Sequence, residues 1–138
     1  MSPLEVYCDG AGSDRVGRPG GWAFVVVRDD AVVLEGAGAA PKTTSLVMEL
    51  LAAAEGLEAV HAAQLVGPVR LISDCRIALD VATGVFFPRP PRYRALCERL
   101  RAAFLVRETT AVWVKSHAGD RWNEEVDGRA ARARDSAA

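Results

Sequence analysis

A chain of 138 residues is long enough to bury one real core. Half of its residues are apolar and a quarter are charged, and 17 basic against 18 acidic side chains leave a net charge of −1. That balance excludes a strongly basic nucleic-acid module, so a polyanionic partner has to be held by a local patch or through metal ions.

Residues 4–9, "LEVYCD", alternate and stop at Gly10, which predicts a first strand with Cys8 and Asp9 on opposite faces and Cys8 in the core. A glycine-rich loop follows. "WAFVVVRD", a turn at Asp29-Asp30 and "AVVLEGAG" predict an antiparallel hairpin, with Trp22 in the core. "SLVMELLAAAEGL" (45–57) predicts a helix capped by Thr44 or Ser45, with Leu46, Leu50, Ala53, Leu57 and Val60 on its apolar stripe. Glu49 lies at the edge of that stripe, where a carboxylate either reaches solvent, pairs with an arginine or binds a metal. His61, near the helix end, reads as a surface residue favoured by the helix dipole.

"PVRLISD" (68–74) predicts a short buried strand, "CRIALDVA" a short helix, and "TGVFFPRPPRY" a proline-rich connection. A helix from about Tyr93 to Phe104, a strand "TTAVWVKSH" with Trp113 in the core, and a helix "RWNEEVDGRAARAR" complete the order β-β-β-α-β-α-α-β-α. Trp122 is expected to be more exposed, at the start of that last helix. An antiparallel meander followed by helix–strand alternation gives an α/β fold with a mixed five-stranded sheet flanked by helices. Residues 1–134 are expected to form one domain and 135–138 a flexible tail. Cys8, Cys75 and Cys97 have no CxxC spacing, which points to a reducing, cytoplasmic setting. No signal peptide and no membrane span are expected, since no run approaches the roughly 18 apolar residues a span requires.

Asp9 and Asp74 end strands that are expected to be parallel neighbours, the usual place for an α/β active site. Glu49 and Asp127 can reach the same sheet edge from two helices. Singly, each acid has a plain explanation as turn former, cap or solvated surface. Crowded together they repel, and a divalent cation makes the crowding tolerable. Oxygen-only ligands of this kind suit Mg²⁺ or Mn²⁺ rather than zinc.

"YCDGAG" with Asp9, "TTSLVMELLAA" with Glu49, "ISDCRIAL" with Asp74 and "WVKSHAGDRWNEEVDGRA" with His117, Asn123 and Asp127 together resemble a type 1 ribonuclease H. The resemblance runs over nearly the whole chain. It implies a ribonuclease H-like sheet, with the first three strands antiparallel and the first, fourth and fifth parallel. It also implies endonucleolytic hydrolysis of the RNA strand of RNA–DNA hybrids with two Mg²⁺ ions, leaving 5′-phosphate and 3′-hydroxyl ends. On this resemblance Asp9 bridges both ions, Glu49 and Asp74 hold one and Asp127 the other, and Glu49 also touches a ribose 2′-hydroxyl. His117 assists proton transfer or product departure. Gly10 and Gly12 approach the RNA sugars, Thr44 grips a phosphate of the DNA strand, and Ser45, Arg76, Asn123 and Glu124 fall at substrate-contacting positions.

Three departures stand out. Ser45 and Leu46 replace two asparagines common in bacterial relatives, and Arg76 replaces a glutamine after the third acid. "TGVFFPRPPRYRAL" is too short for the basic, tryptophan-containing handle that many relatives carry. Between Arg89 and Arg101, five arginines and one glutamate form a local basic run, either a solvated helix face or a phosphate-contacting patch. Cys75, beside Asp74, raises the question of oxidation sensitivity. A monomer acting on hybrid is the expected form. The alternatives are a nuclease of the same fold tuned to double-stranded RNA or to RNA–DNA junctions, and a non-catalytic nucleic-acid-binding module. The presence of all four acids and His117 argues against the latter.

Overall fold

The computed structural model describes residues 1–137. In chain order its elements are β1 (Leu4–Ala11), β2 (Arg18–Arg28), β3 (Ala31–Thr43), α1 (Ser45–Ala62), β4 (Val69–Ser73), α2 (Arg76–Thr83), α3 (Arg94–Leu105), β5 (Thr109–Trp113) and α4 (Arg121–Ala137), with a 3₁₀ turn at Pro91–Tyr93. The strands pair in the order β3-β2-β1-β4-β5. β1–β2 and β2–β3 are antiparallel, while β1–β4 and β4–β5 are parallel. This is the expected mixed sheet. Among the described residues no helix is long and apolar enough to cross a membrane.

The two faces of the sheet carry unequal cores. Leu4, Val6 and Cys8 point into a large cluster shared with α1, α2 and α3, whereas Tyr7 points into a smaller one with Val25, Val27, Ile72 and Val126 of α4. That split follows from the two-residue period of β1. Leu50, Ala53, Leu57 and Val60 of α1 are fully buried as the helical spacing requires. Leu46 is only partly buried beside them. Alanines and Gly56 widen the buried face, and a methyl group at Gly56 would sit 2.7 Å from Val6 Cγ1, so α1 lies close on the sheet. Thr44 caps the helix, its Oγ1 accepting from Val47 N at 3.2 Å.

Several boundaries move. β1 runs two residues past Asp9, and β2 begins at Arg18 rather than Trp22, because Gly10 pairs with Trp22 and Ala11 with Gly21. Ladder hydrogen bonds outweigh the weak strand preference of glycine here. β3 extends to Thr43, and β5 stops at Trp113, short of the expected His117. α4 continues through Ala137, so residues 135–137 of the expected tail are helical, and residue 138 lies outside the described residues.

Four side chains depart from the reading of the sequence. Trp113 is 41% exposed rather than core, because it ends the edge strand β5. Trp22 is partly buried and stacks on Phe24, with ring centroids 6.2 Å apart. His61 is partly buried and joins α1 to α3 through Nε2 and the Ala103 carbonyl, 2.9 Å apart. A packed neighbouring helix, invisible in the local sequence, turns a surface position into a tether. Trp122 is also half-buried, packing on the smaller cluster, with its indole nitrogen donating to Asp30 Oδ1 at 3.3 Å.

Candidate active site

The parallel ladder between β1 and β4 ends at Tyr7 and Ile72, while β1 continues along β2. Asp9 therefore stands past the end of its parallel neighbour yet remains held by the antiparallel one, opposite Ala23. It is 3% exposed. Asp74 follows directly on β4. Glu49 comes from the first turns of α1, and its approach depends on Gly10. A Cβ at Gly10 would lie 2.4 Å from Glu49 N and 2.5 Å from the Met48 carbonyl carbon, so only glycine lets α1 close on the strand. The Gly10 amide then donates to Glu49 Oε1 at 2.7 Å and to Asp9 Oδ1 at 3.0 Å.

Asp9, Glu49 and Asp74 each offer a carboxylate oxygen within 4.8 Å of the others. This answers the question of a glutamate in an apolar helix. Glu49 is partly buried and, among the described residues, pairs with no arginine; it meets two aspartates. Burial, followed by the charge of Glu49, its shared hydrogen bond and Asp74, pushes the Asp9 carboxyl far above its ordinary value. Burial also raises Glu49, to about 7, although the hydrogen bonds from Asp9 and Gly10 oppose the shift. Both shifts have one direction and one cause: burial and neighbouring like charge disfavour full ionisation of the Asp9–Glu49 pair.

Asp127, expected as a fourth ligand, stands on α4 outside the three-acid set but near enough to raise the pKa of both Asp9 and Glu49. Asp74 is steadied by two donors on one oxygen, Oδ2: Ser116 Oγ at 2.7 Å and Asn123 Nδ2 at 3.4 Å. Asn123 is buried, and its Oδ1 has no partner among the described residues. Ser116 was not singled out in the sequence. Its only signal was adjacency to His117, and the bond joins two loops 42 residues apart.

The other expected positions separate. His117 is exposed, in left-handed backbone at φ +53°, in the loop between β5 and α4. Gly12 packs on α1, where a methyl group would be 3.2 Å from Ser45 Cα. Ser45 is partly exposed at the start of that helix. Thr44 is buried, with its hydroxyl engaged as the cap. Glu124 is exposed on the first turn of α4. Arg76 lies 3.9 Å over the Trp113 ring, whose indole donates to the Asp74 carbonyl at 3.1 Å. Burial and the charge of Glu49 raise the Cys75 thiol to about 12, which disfavours its thiolate form.

The basic run divides. Arg99 binds Glu58 through two hydrogen bonds of 2.7 and 2.6 Å and Glu55 at 2.8 Å, and Arg101 donates to the Ala82 carbonyl at 2.9 Å. Arg89, Arg92 and Arg94 remain exposed, beside the half-exposed Phe86 and Phe87.

A family model described as RNase H matches residues 1–135. The ribonuclease H of Dinoroseobacter shibae is 37% identical, over 94% of this chain and 90% of its own length. The N-terminal RNase H domain of a Mycobacterium tuberculosis protein superposes with a TM-score of 0.85 at 21% identity, covering 99% of this chain and 96% of its own. LC11-RNase H1, solved in complex with an RNA/DNA hybrid, superposes with a TM-score of 0.81 at 20% identity, covering 97% and 98%. At these identities the solved structures speak to the fold alone.

Proposed function

The chain belongs to the ribonuclease H family, and on that premise we propose that it is a metal-dependent endonuclease that hydrolyses the RNA strand of RNA–DNA hybrids. The observation that carries the reading is the convergence of Asp9, Glu49 and Asp74 at one point, with two of their carboxyls held well above ordinary values. Such a site gains most from a bound cation, because a divalent ion replaces the proton and ends the repulsion. The donor set is all carboxylate, which fits Mg²⁺ and admits Mn²⁺. Asp9, Glu49 and Asp74 would hold one ion, and Asp127, with Asp9 between, a second. When bound, ions of this kind activate water and steady a leaving oxygen.

The chain's own residues position the rest. Gly10 seats α1 so that Glu49 stands beside Asp9. By the resemblance the Glu49 carboxylate would accept from a ribose 2′-hydroxyl and so select RNA over DNA, with the Gly10 to Gly12 backbone passing close to the RNA sugars. Ser116 and Asn123 fix the orientation of Asp74. By the resemblance Arg76, Ser45 and Glu124 would contact the substrate, and Thr44 sets the start of α1. His117, on the exposed loop before α4, would move a proton as the departing strand leaves. Water adds to phosphorus and the bond to the 3′-oxygen breaks, giving a 5′-phosphate and a 3′-hydroxyl. The hybrid is taken from the family and from the partner of LC11-RNase H1. The three free thiols fit a reducing, cytoplasmic setting, and the chain is taken to act as a monomer.

The test offers end-labelled hybrid, RNA duplex, DNA duplex and single strands, each with Mg²⁺, with Mn²⁺ and with EDTA. Internal cuts in the RNA of the hybrid, dependent on the ion and leaving 5′-phosphates, are the expected result. Digestion in EDTA, or cleavage that proceeds only from strand ends, overturns the reading. Faster cutting of RNA duplex transfers it to the double-stranded RNA alternative.

A further inference from the structure

A second charged feature lies outside the acid cluster and the basic run. The loop between β1 and β2 and the end of α4 enclose an open cleft of about 440 Å³ lined by Gly12, Ser13, Arg15, Arg18, Pro19 and Arg134. Arg15 and Arg18 are exposed, and Arg134 is partly so. The three are brought together by packing that the sequence does not announce. A Cβ at Gly21 would lie 2.3 Å from Arg134 N and 2.4 Å from the Ala130 carbonyl, so the bare backbone of β2 seats the last turns of α4 at the mouth of the loop. The loop itself is anchored, since Ser45 N donates to the Ser13 carbonyl at 2.7 Å and Arg15 N to Ser13 Oγ at 3.0 Å. Gly17, at φ +92°, makes the turn that returns the chain to Arg18.

Asp135 pairs with Arg134 at 3.1 Å, and Asp14 is exposed in the loop, so the cleft keeps an excess of positive charge in a chain of net −1. The cleft begins at Gly12, two residues beyond Gly10 and one past the end of β1. At ~3.3 Å per residue that is roughly 7 Å from the Glu49 contact, a span of about two nucleotides at a rise of ~3.4 Å. We propose that Arg15, Arg18 and Arg134 form a phosphate-binding site for the backbone of the same duplex, two or more nucleotides from the bond cut at the carboxylates. The inference rests on the proposed hybrid substrate and assigns a grip on its flank that does not depend on the α2–α3 connection. Guanidinium groups suit this partner because each can offer two parallel donors to one phosphate.

The experiment compares the 138-residue chain with its Arg15→Ala/Arg18→Ala and Arg134→Ala variants, checking each fold by thermal melting. Affinity for a hybrid of about 18 base pairs is measured by anisotropy in EDTA from 50 to 200 mM salt, and KM and kcat are measured with Mg²⁺. The expected result for the double variant is a Kd and KM raised about five- to thirtyfold at low salt, with the loss carried by KM. The slope of log Kd against log salt should flatten by about 0.9 for each phosphate contact removed. Hybrids shortened so that they end at the cut on either side should locate the grip: on one of them, wild type and variant bind alike. An unchanged Kd and salt slope overturns the inference, as does an equal loss on every hybrid length. Wild type that binds hybrid without cutting it overturns the proposed function alone, and the salt slopes still decide the arginines. Wild type that binds no hybrid overturns both.

Discussion

The acid cluster around Asp9 and the arginine run from Arg89 to Arg101 are both concentrations of like charge, and the fold treats them differently. At the acids, β1, β4 and α1 bring Asp9, Glu49 and Asp74 together, no salt bridge among the described residues answers them, and burial with mutual repulsion raises the Asp9 and Glu49 carboxyls. At the arginines, α1 presents Glu55 and Glu58 to Arg99, and α2 presents a carbonyl to Arg101, so two of the five arginines in the apparent patch are internal structure. Like charges that a rigid fold leaves uncompensated await a counter-charge from outside. Those answered by neighbouring elements hold the helices in place.

The sharpest way to break this comparison is to remove one acid. Asp9→Asn keeps the shape of the side chain but removes its charge, and cleavage should fall on the order of a thousandfold or more. In EDTA the same variant should melt higher than wild type, by roughly 1–4 kcal/mol, the upper figure being three pKa units at ~1.36 kcal/mol each. Mg²⁺ should narrow the gap by binding the native cluster more tightly. A variant that melts clearly lower in EDTA would mean the acids are not crowded.

A pH series tests the same cluster without chemistry. Both folded-state carboxyls lie above their unfolded values, so the pair contributes most stability below about pH 4. That contribution is lost as the pH climbs through about 7 for Glu49 and continues to fall toward the still higher value of Asp9. The melting gap between Asp9→Asn and wild type in EDTA should therefore widen from pH 5 to pH 8. A constant gap would place the proton elsewhere.

Smaller effects belong to the arginines. Arg99→Ala leaves Glu55 and Glu58 facing each other on α1 and should cost about 1 kcal/mol, a few degrees in Tm, with little change in kcat. Replacing Arg92 and Arg94 together with alanine should shift stability by less than about 0.5 kcal/mol. It should raise KM a few-fold and flatten the salt dependence slightly. If Arg99→Ala raised KM more than the pair did, the division of the run would be reversed. Melting curves and steady-state kinetics at two salt concentrations read both.

The order of elements along the chain and the helix stripe on α1 were legible because they rest on local periods. The pairing of β1, β4 and β5 and the meeting of four acids were instead expected from the motifs, and the structure groups three of those acids. Alternation put Cys8 inward and Asp9 on the other face, and helical spacing put Leu50, Ala53 and Leu57 inward with Glu49 at the edge. The same local logic failed at chain ends and contacts. Trp113 has the look of a core strand residue, but its strand lies at the sheet edge, and His61 has the look of a surface residue, but α3 covers it. Ser116 and Asp74 are joined across 42 residues, and no motif spacing encodes that meeting.

The sequence by itself determined the family, the elements and which residue types could do the chemistry, because periodicity and motif spacing are properties of neighbours along the chain. Only the tertiary structure decided which charges stay uncompensated. Arg99 was as cationic as Arg15 in the sequence, and the difference arose when α1 met α3 and α4 settled on Gly21. A charge is compensated or left open by distances of a few ångströms between elements remote in sequence, and those distances are set by how closely the backbones pack.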